Sequence, residues 1–207
     1  MSAAVLTTDE NTSFLRNSAE NHAGSAYLTY ENTTVTKEDN TTETIREISV
    51  LECNGSLFSE NSAMAGGAVS IRSNCRAEFV STVFKSNSVT GDNGVLDGDF
   101  EGGGAIYAGW GSLVLDSVEM SGNLSDGHFG GAVNSLYSDT LICGSTKISG
   151  NTNGVFVLGK NIQIKDNVNI TGNTRSNVYL SKGRRLVLVG DITKAKIGVM
   201  ANAGAFV

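Results

Sequence analysis

Two short motifs alternate along this chain, and their alternation limits the folds open to it. The first is a glycine pair that runs into a small apolar strand: Gly66-Gly67-Ala68-Val69, Gly103-Gly104-Ala105-Ile106 and Gly130-Gly131-Ala132-Val133. Ala23-Gly24-Ser25-Ala26-Tyr27-Leu28 is a blurred copy, and Asn153-Gly154-Val155-Phe156-Val157 a more distant one. The second motif is a large apolar residue, two small or polar residues, then asparagine. Its copies begin at Phe14, Phe58, Phe84, Met120, Ile148 and Ile170 and end at Asn17, Asn61, Asn87, Asn123, Asn151 and Asn173. A lone run such as Gly102-Gly103-Gly104 would suit a phosphate loop, whereas a motif that recurs is architecture.

The register around the asparagines gives the period. Eight residues before Asn61, Asn87, Asn123 and Asn151 lie Cys53, Phe79, Leu115 and Cys143; ten before lie Leu51, Ala77, Leu113 and Leu141. A spacing of two between apolar residues is a strand with one buried face. Asn173 fits with a one-residue slip, through Ile162 and Ile164. The asparagine steps are 44, 26, 36, 28 and 22. With 22 as the minimal coil, the first step is expected to hide a degenerate coil around Asn40, and the others carry insertions.

A unit of this length cannot bury its own apolar face, but stacked units can, with like residues piled on like. The expected fold is all-β: a parallel β-helix, a single-stranded solenoid of about seven coils, about 34 Å long at the usual strand spacing. Parallel crossovers make it right-handed. Asn61, Asn87, Asn123, Asn151 and Asn173 are then expected at one corner, tolerating left-handed backbone and bonding their neighbours as a ladder. Gly67, Gly104 and Gly131 mark the next corner, where glycine permits positive φ and close approach of backbones.

Composition agrees. The chain has no proline, 25 glycines and 20 asparagines, which favours tight turns and leaves helices scarce. A net charge of −6 argues against nucleic acid or an anionic membrane surface as partner. No stretch approaches eighteen apolar residues, so no membrane insertion by this segment is expected. The start, MSAAVLTTDENTSF, has neither a basic nor an apolar leader region. That start suits an intracellular protein or a piece of a longer one. Residues 1–207 read as a single domain: 1–13 a poorly ordered or incomplete first coil, 88–102 a long acidic insertion, 187–207 a last coil that looks cut.

FSENSA followed by GGAV, and VEMSGN followed by GGAV, resemble the paired repeats of the polymorphic outer-membrane protein family. Those are β-helical passenger regions of autotransporter-like adhesins. The run ITGNTRSNVYLSKGRRLVLVGDITKAKIGV is similar to the end of β-helix regions in large surface proteins of gut bacteria. The resemblance covers residues 14–199 loosely. It implies a right-handed, pectin-lyase-like β-helix, an extracellular or cell-surface location, and host or matrix glycans or proteins as partners.

Chemistry-bearing residues are few. Cys53 and Cys143 share a register position that points inward; Cys75, between strands, is expected at the surface. No metal-type cysteine spacing occurs. Asp97, Asp99 and Glu101 alternate on a glycine-containing loop, as ligands of a hard cation such as calcium do. No other cofactor is nominated. Asp126 and His128 form a conceivable acid–base pair, but no catalytic residue is assigned. The insertions at 62–65, 88–102 and 124–129 leave the coil at the same corner and so line one side, which nominates Asp92 and Phe100 as ligand surface. Trp110 lies on another edge, where it either packs in a turn or stacks on a sugar ring.

The function these features favour is a non-enzymatic adhesin or stalk segment, with end-to-end self-association of its open coils. The alternative is a lyase or hydrolase acting on polysaccharide. An ice-binding solenoid ranks last, because threonine does not recur coil by coil.

Overall fold

A computed structural model of the chain describes residues 3–90, 95–96, 99–100, 102–125 and 129–201. They contain strands and no helix. Coil 1 holds β1 (Ala3–Thr8), β2 (Ser13–Leu15) and β3 (Ala26–Leu28), followed by β4 (Tyr30–Thr36). Coil 2 holds β5 (Thr42–Asn54), β6 (Leu57–Ser59), β7 (Ser62–Ala63) and β8 (Val69–Ile71). Coil 3 holds β9 (Arg76–Val80), β10 (Val83–Lys85), β11 (Ser88–Val89), β12 (Val95–Leu96), β13 (Asp99–Phe100) and β14 (Ile106–Gly109). Coil 4 has β15 (Ser112–Asp116), β16 (Glu119–Ser121) and β17 (Val133–Leu136); coil 5 has β18 (Asp139–Cys143), β19 (Lys147–Ser149) and β20 (Asn153–Leu158). Coil 6 has β21 (Ile162–Lys165), β22 (Asn169–Ile170) and β23 (Ser176–Leu180); coil 7 has β24 (Leu186–Val189), β25 (Lys196–Ile197) and β26 (Val199–Ala201).

Like strands of successive coils pair in parallel and make three walls. Sheet I runs β1-β5-β9-β15-β18-β21-β24, sheet II runs β2-β6-β10-β16-β19-β22-β25, and sheet III runs β3-β8-β14-β17-β20-β23-β26. The fold is therefore a parallel β-helix of seven coils. What reads in sequence as one strand ending at the asparagine is two, bent apart at residues such as Gly55, Ser81 and Ser117, all with positive φ. Residues 3–8 belong to the solenoid: β1 pairs with β5 from Ala3↔Ile48 to Thr8↔Cys53.

The interior is a set of columns. In sheet II, Phe14, Phe58, Phe84, Met120, Ile148, Ile170 and Ile197 lie in register. The first three rings stack at 4.5 and 4.8 Å. Phe79 of sheet I meets Phe58 and Phe84 edge-on. Sheet III contributes Val69, Ile106, Val133, Val155 and Val178, all fully buried. Coils that bury such columns only against each other derive most of their stability from inter-coil contact.

The asparagines form the ladder at the corner after sheet II. Asn61 Oδ1 accepts the backbone N–H of Asn17 (3.0 Å) and its Nδ2–H (2.9 Å). Asn87 Oδ1 does the same for Asn61, Asn123 for Asn87, Asn151 for Asn123, and Asn173 for Asn151. Each Nδ2 also donates back to the preceding coil: Asn87 to Phe58 O, Asn123 to Phe84 O, Asn151 to Met120 O. Asn61, Asn87, Asn123 and Asn151 are fully buried. The last rung is closed from within its own coil, where Asn177 Oδ1 accepts from both nitrogens of Asn173.

Four local expectations need correction. The left-handed residue at this corner is not the asparagine but the one before it: Arg16, Glu60, Ser86, Gly122, Gly150 and Gly172 all have positive φ. That geometry turns the following side chain into the stack. Second, the 44-residue first step hides no coil, because Asn17 bonds Asn61 directly. The extra residues make an antiparallel hairpin of β4 on the first half of β5, with Asn40 (φ 61°) in its turn. Third, Ile142 and Thr140, not Cys143 and Leu141, continue the inward columns under Leu115 and Leu113. Coil 5 places Gly144, Ser145 and Thr146 between its first two strands where coil 4 places Ser117 and Val118, and the extra residue shifts the count. Cys143 thus faces outward, in register with Asp116. Fourth, Cys75 is fully buried, as Asn74 (φ 62°) turns the chain so that it enters the core.

The glycine pairs divide their labour. Gly66 and Gly103 have positive φ, while Gly67, Gly104 and Gly131 are there for close approach. A Cβ on Gly104 would lie 2.1 Å from Gly131 O and 2.5 Å from Leu124 O. Gly150, by contrast, has φ 71° and open space where a Cβ would go. Gly104→Ala must push neighbouring backbones away and is expected to cost about 3 kcal/mol. Gly150→Ala meets only the left-handed penalty, about 1 kcal/mol. Urea denaturation of both variants checks this, and equal losses would contradict a close-packed glycine corner.

Candidate functional site

Of the residues nominated for metal or ligand binding, Asp92, Asp97 and Glu101 lie outside the described residues, as do Asp126 and His128. Asp99 and Phe100 form β13, antiparallel to β12 through Leu96↔Asp99 and Val95↔Phe100. Among the described residues no three His, Cys, Asp or Glu side chains come together as a metal cage. No helix of the described residues is long and apolar enough to cross a membrane.

Trp110 sits at the corner between sheets III and I, where coil 3 turns from β14 into β15. It is 42% exposed, and its ring stacks on Tyr137 of the next coil at 5.5 Å and 11°. Tyr137 is 45% exposed. Both corners are held by backbone bonds: Trp110 N–H donates to Leu136 O (2.9 Å), Tyr137 N–H to Leu158 O (2.7 Å), and Asn74 N–H to Trp110 O (3.0 Å). Tyr137 leans over Gly159, where an added Cβ would come within 2.3 Å of the phenol ring. Beside the pair, Lys160 Nζ donates to both oxygens of Asp139 at 2.9 Å. The Arg184 guanidinium donates to Gly159 O.

The backbone of this pair is unusual. Trp110 (φ 56°) and Tyr137 (φ 53°) are both left-handed, and among the described residues they are the only aromatic side chains so held. The same corner uses Asn74 in coil 2 and Gly159 in coil 5, which accept this conformation more readily. Left-handed backbone costs an ordinary residue about 1–2 kcal/mol, set here against the stack and the burial of more than half of each aromatic residue. Sequence reasoning does not nominate Tyr137, although a signal exists: it follows Val133 by the four residues that separate Trp110 from Ile106.

The outer face of sheet III carries a second aromatic row. Phe156 stacks on Tyr179 (5.1 Å, 4°) and meets Phe129 edge-on. Phe156 and Tyr179, with Asn153, Arg175, Ser176 and Met200, line an open cleft of about 340 Å³. In coils 2 to 4 that face is covered, since Ser70, Tyr107 and Asn134 point outward yet are fully buried. Arg72 lies over the Tyr107 ring at 5.7 Å.

Compared with models of known protein families, with curated proteins and with solved structures, the chain matches none of them.

The three cysteines are free and buried. Burial pushes all three thiols above the ordinary value of 9.0, and for Cys143 the charges of Asp116 and Asp166 add to it. A thiol pKa raised on folding contributes stability that is complete below the unfolded value and lost as pH rises through the folded one. Stability is therefore expected to fall once pH exceeds 9, and iodoacetamide at neutral pH should leave all three thiols unmodified until urea is added. Mass spectrometry checks this; rapid alkylation of the native protein would contradict it.

Proposed function

We propose that this chain is a β-helical segment of a surface or secreted protein, acting as a stalk that carries an adhesive side and performs no catalysis. The observation that carries this reading is the division of the coil. Its inward columns and asparagine ladder make a continuous rod, while the Trp110–Tyr137 corner is partly exposed on its outside. Rigid solenoids with variable outward loops suit binding over an extended face. The motif resemblance supports an extracellular location, with glycans or proteins of a host or matrix as partners. Apolar residues exposed on the outermost described strands, Val5 and Leu6 at one end and Leu188 and Met200 at the other, support stacking of copies end to end.

The experiment sets binding against turnover. The purified chain, incubated with immobilised glycans and extracellular-matrix proteins, is expected to be retained, and the same polysaccharides are expected to release no new reducing ends. Retention without turnover supports the adhesive reading; release of reducing ends or unsaturated products would replace it with a polysaccharide-cleaving enzyme.

A further inference from the structure

The two ends of the rod carry opposite charge. We infer that the last coil of one copy docks head to tail on the first coil of another, its basic corner against the acidic hairpin of the copy it joins. This rests on the end-to-end stacking proposed above and gives it a direction, a register and a recognition chemistry.

Residues 181–201, the last coil with its entry corner, hold five basic side chains and one acidic; residues 3–47, the first coil and the hairpin, hold eight acidic and three basic. These charges share one edge of the rod. The basic corner, with Lys182 and Arg185 exposed, joins sheet III to sheet I, and the β4–β5 hairpin leaves coil 1 between the same two sheets. In that hairpin Glu31 stands directly opposite Glu47, a like-charge placement that weakens a strand pair. The hairpin's Lys37 is taken by Glu43 and its Arg46 lies over Tyr30, so neither glutamate is paired with a cation among the described residues. A basic corner docked there supplies one. The apolar surfaces match as well. At the first coil Val5, Leu6, Leu15 and Tyr27 are exposed, beside an open hollow of about 340 Å³ lined in part by Ala26, Leu28 and Leu51. At the last coil Leu188, Val199 and Met200 are exposed. Stacking in the register of the coils places Leu186 over Leu6, Ile197 over Phe14 and Val199 over Ala26, which continues the interior columns of all three sheets. A two-fold, head-to-head pairing would instead set like charge against like. Head-to-tail contact does not close on itself, so copies keep adding. The ladder does not cross the joint, because Asn177 already closes Asn173, and the joint is therefore weaker than a contact between coils of one copy.

Sedimentation velocity of the full chain over a range of concentrations, at low and at high salt, tests this. Wild type is expected to grow past the dimer as concentration rises, and less so at high salt, where the ion pairs are screened. Two double variants reverse the charge of one end each: Lys182→Glu with Arg185→Glu, and Glu31→Lys with Glu47→Lys. Each alone is expected to weaken association about tenfold or more, with the far-UV circular dichroism of the wild type. An equimolar mixture of the two is expected to assemble again past the dimer, because the reversed tail of one meets the reversed head of the other. Wild type that stops at a dimer, double variants that associate like wild type, or a mixture that stays apart would overturn the head-to-tail contact and leave end stacking standing. Wild type that is monomeric at every concentration would overturn both.

Discussion

A buried asparagine in a solenoid can be satisfied only by the coils on either side of it. Asn87 accepts two bonds from Asn61, and its amide donates one to Asn123 and one to Phe58 O, all of them out of reach of solvent. A shift of one residue in any coil would leave several such groups unmade, each costing about 1–3 kcal/mol. The ladder thus fixes register, and the aromatic and aliphatic columns follow from it. The buried face of parallel strands excludes a one-residue slip, but a slip of two would keep apolar residues inside, and the ladder excludes that as well.

The corners follow the same logic. Every coil must turn three times, and the turns are made with single left-handed residues: Ser86 before Asn87, Ser117 after sheet I, Trp110 after sheet III. Glycine serves where the turn also needs contact, as at Gly104 against Gly131 O. Polar residues such as Glu60 and Ser86 serve where the side chain can leave for solvent. Against that background Trp110 and Tyr137 stand out as the only aromatic residues on left-handed backbone among the described residues, packed on each other across two coils.

Much of this is legible in the sequence, and the failures have physical causes. Strict repetition of Phe58, Phe84 and Met120 three residues before an asparagine reveals the ladder and the sheet II column without any structure. The inward column of sheet I is misread at Cys143 because one extra corner residue in coil 5 moves apolar Leu141 and Cys143 into the places expected of the core, while polar Thr140 actually holds one. The same slip is visible for Ile162 and Ile164, where the out-of-register residues are polar and the ambiguity does not arise. The spurious coil at Asn40 comes from an arithmetical coincidence: 44 is twice 22, yet the residues form a hairpin exposed to solvent, with the threonine-rich alternation that such a hairpin tolerates. At the candidate site the tryptophan stands out in the sequence but its partner does not, since stacking between coils depends on a register that only the aligned strands reveal.

The ladder holds the coils in register, and Asn87→Leu tests this most directly, since leucine keeps the volume and removes every polar atom of the amide. The measurement is urea unfolding followed by far-UV circular dichroism, with Asn40→Gly in the exposed hairpin turn as the control. The loss of acceptor for both nitrogens of Asn61 and of donor for Phe58 O predicts destabilisation of at least about 3 kcal/mol for Asn87→Leu, and little change for Asn40→Gly. An Asn87→Leu variant as stable as the wild type would contradict the ladder as the interaction that sets the register.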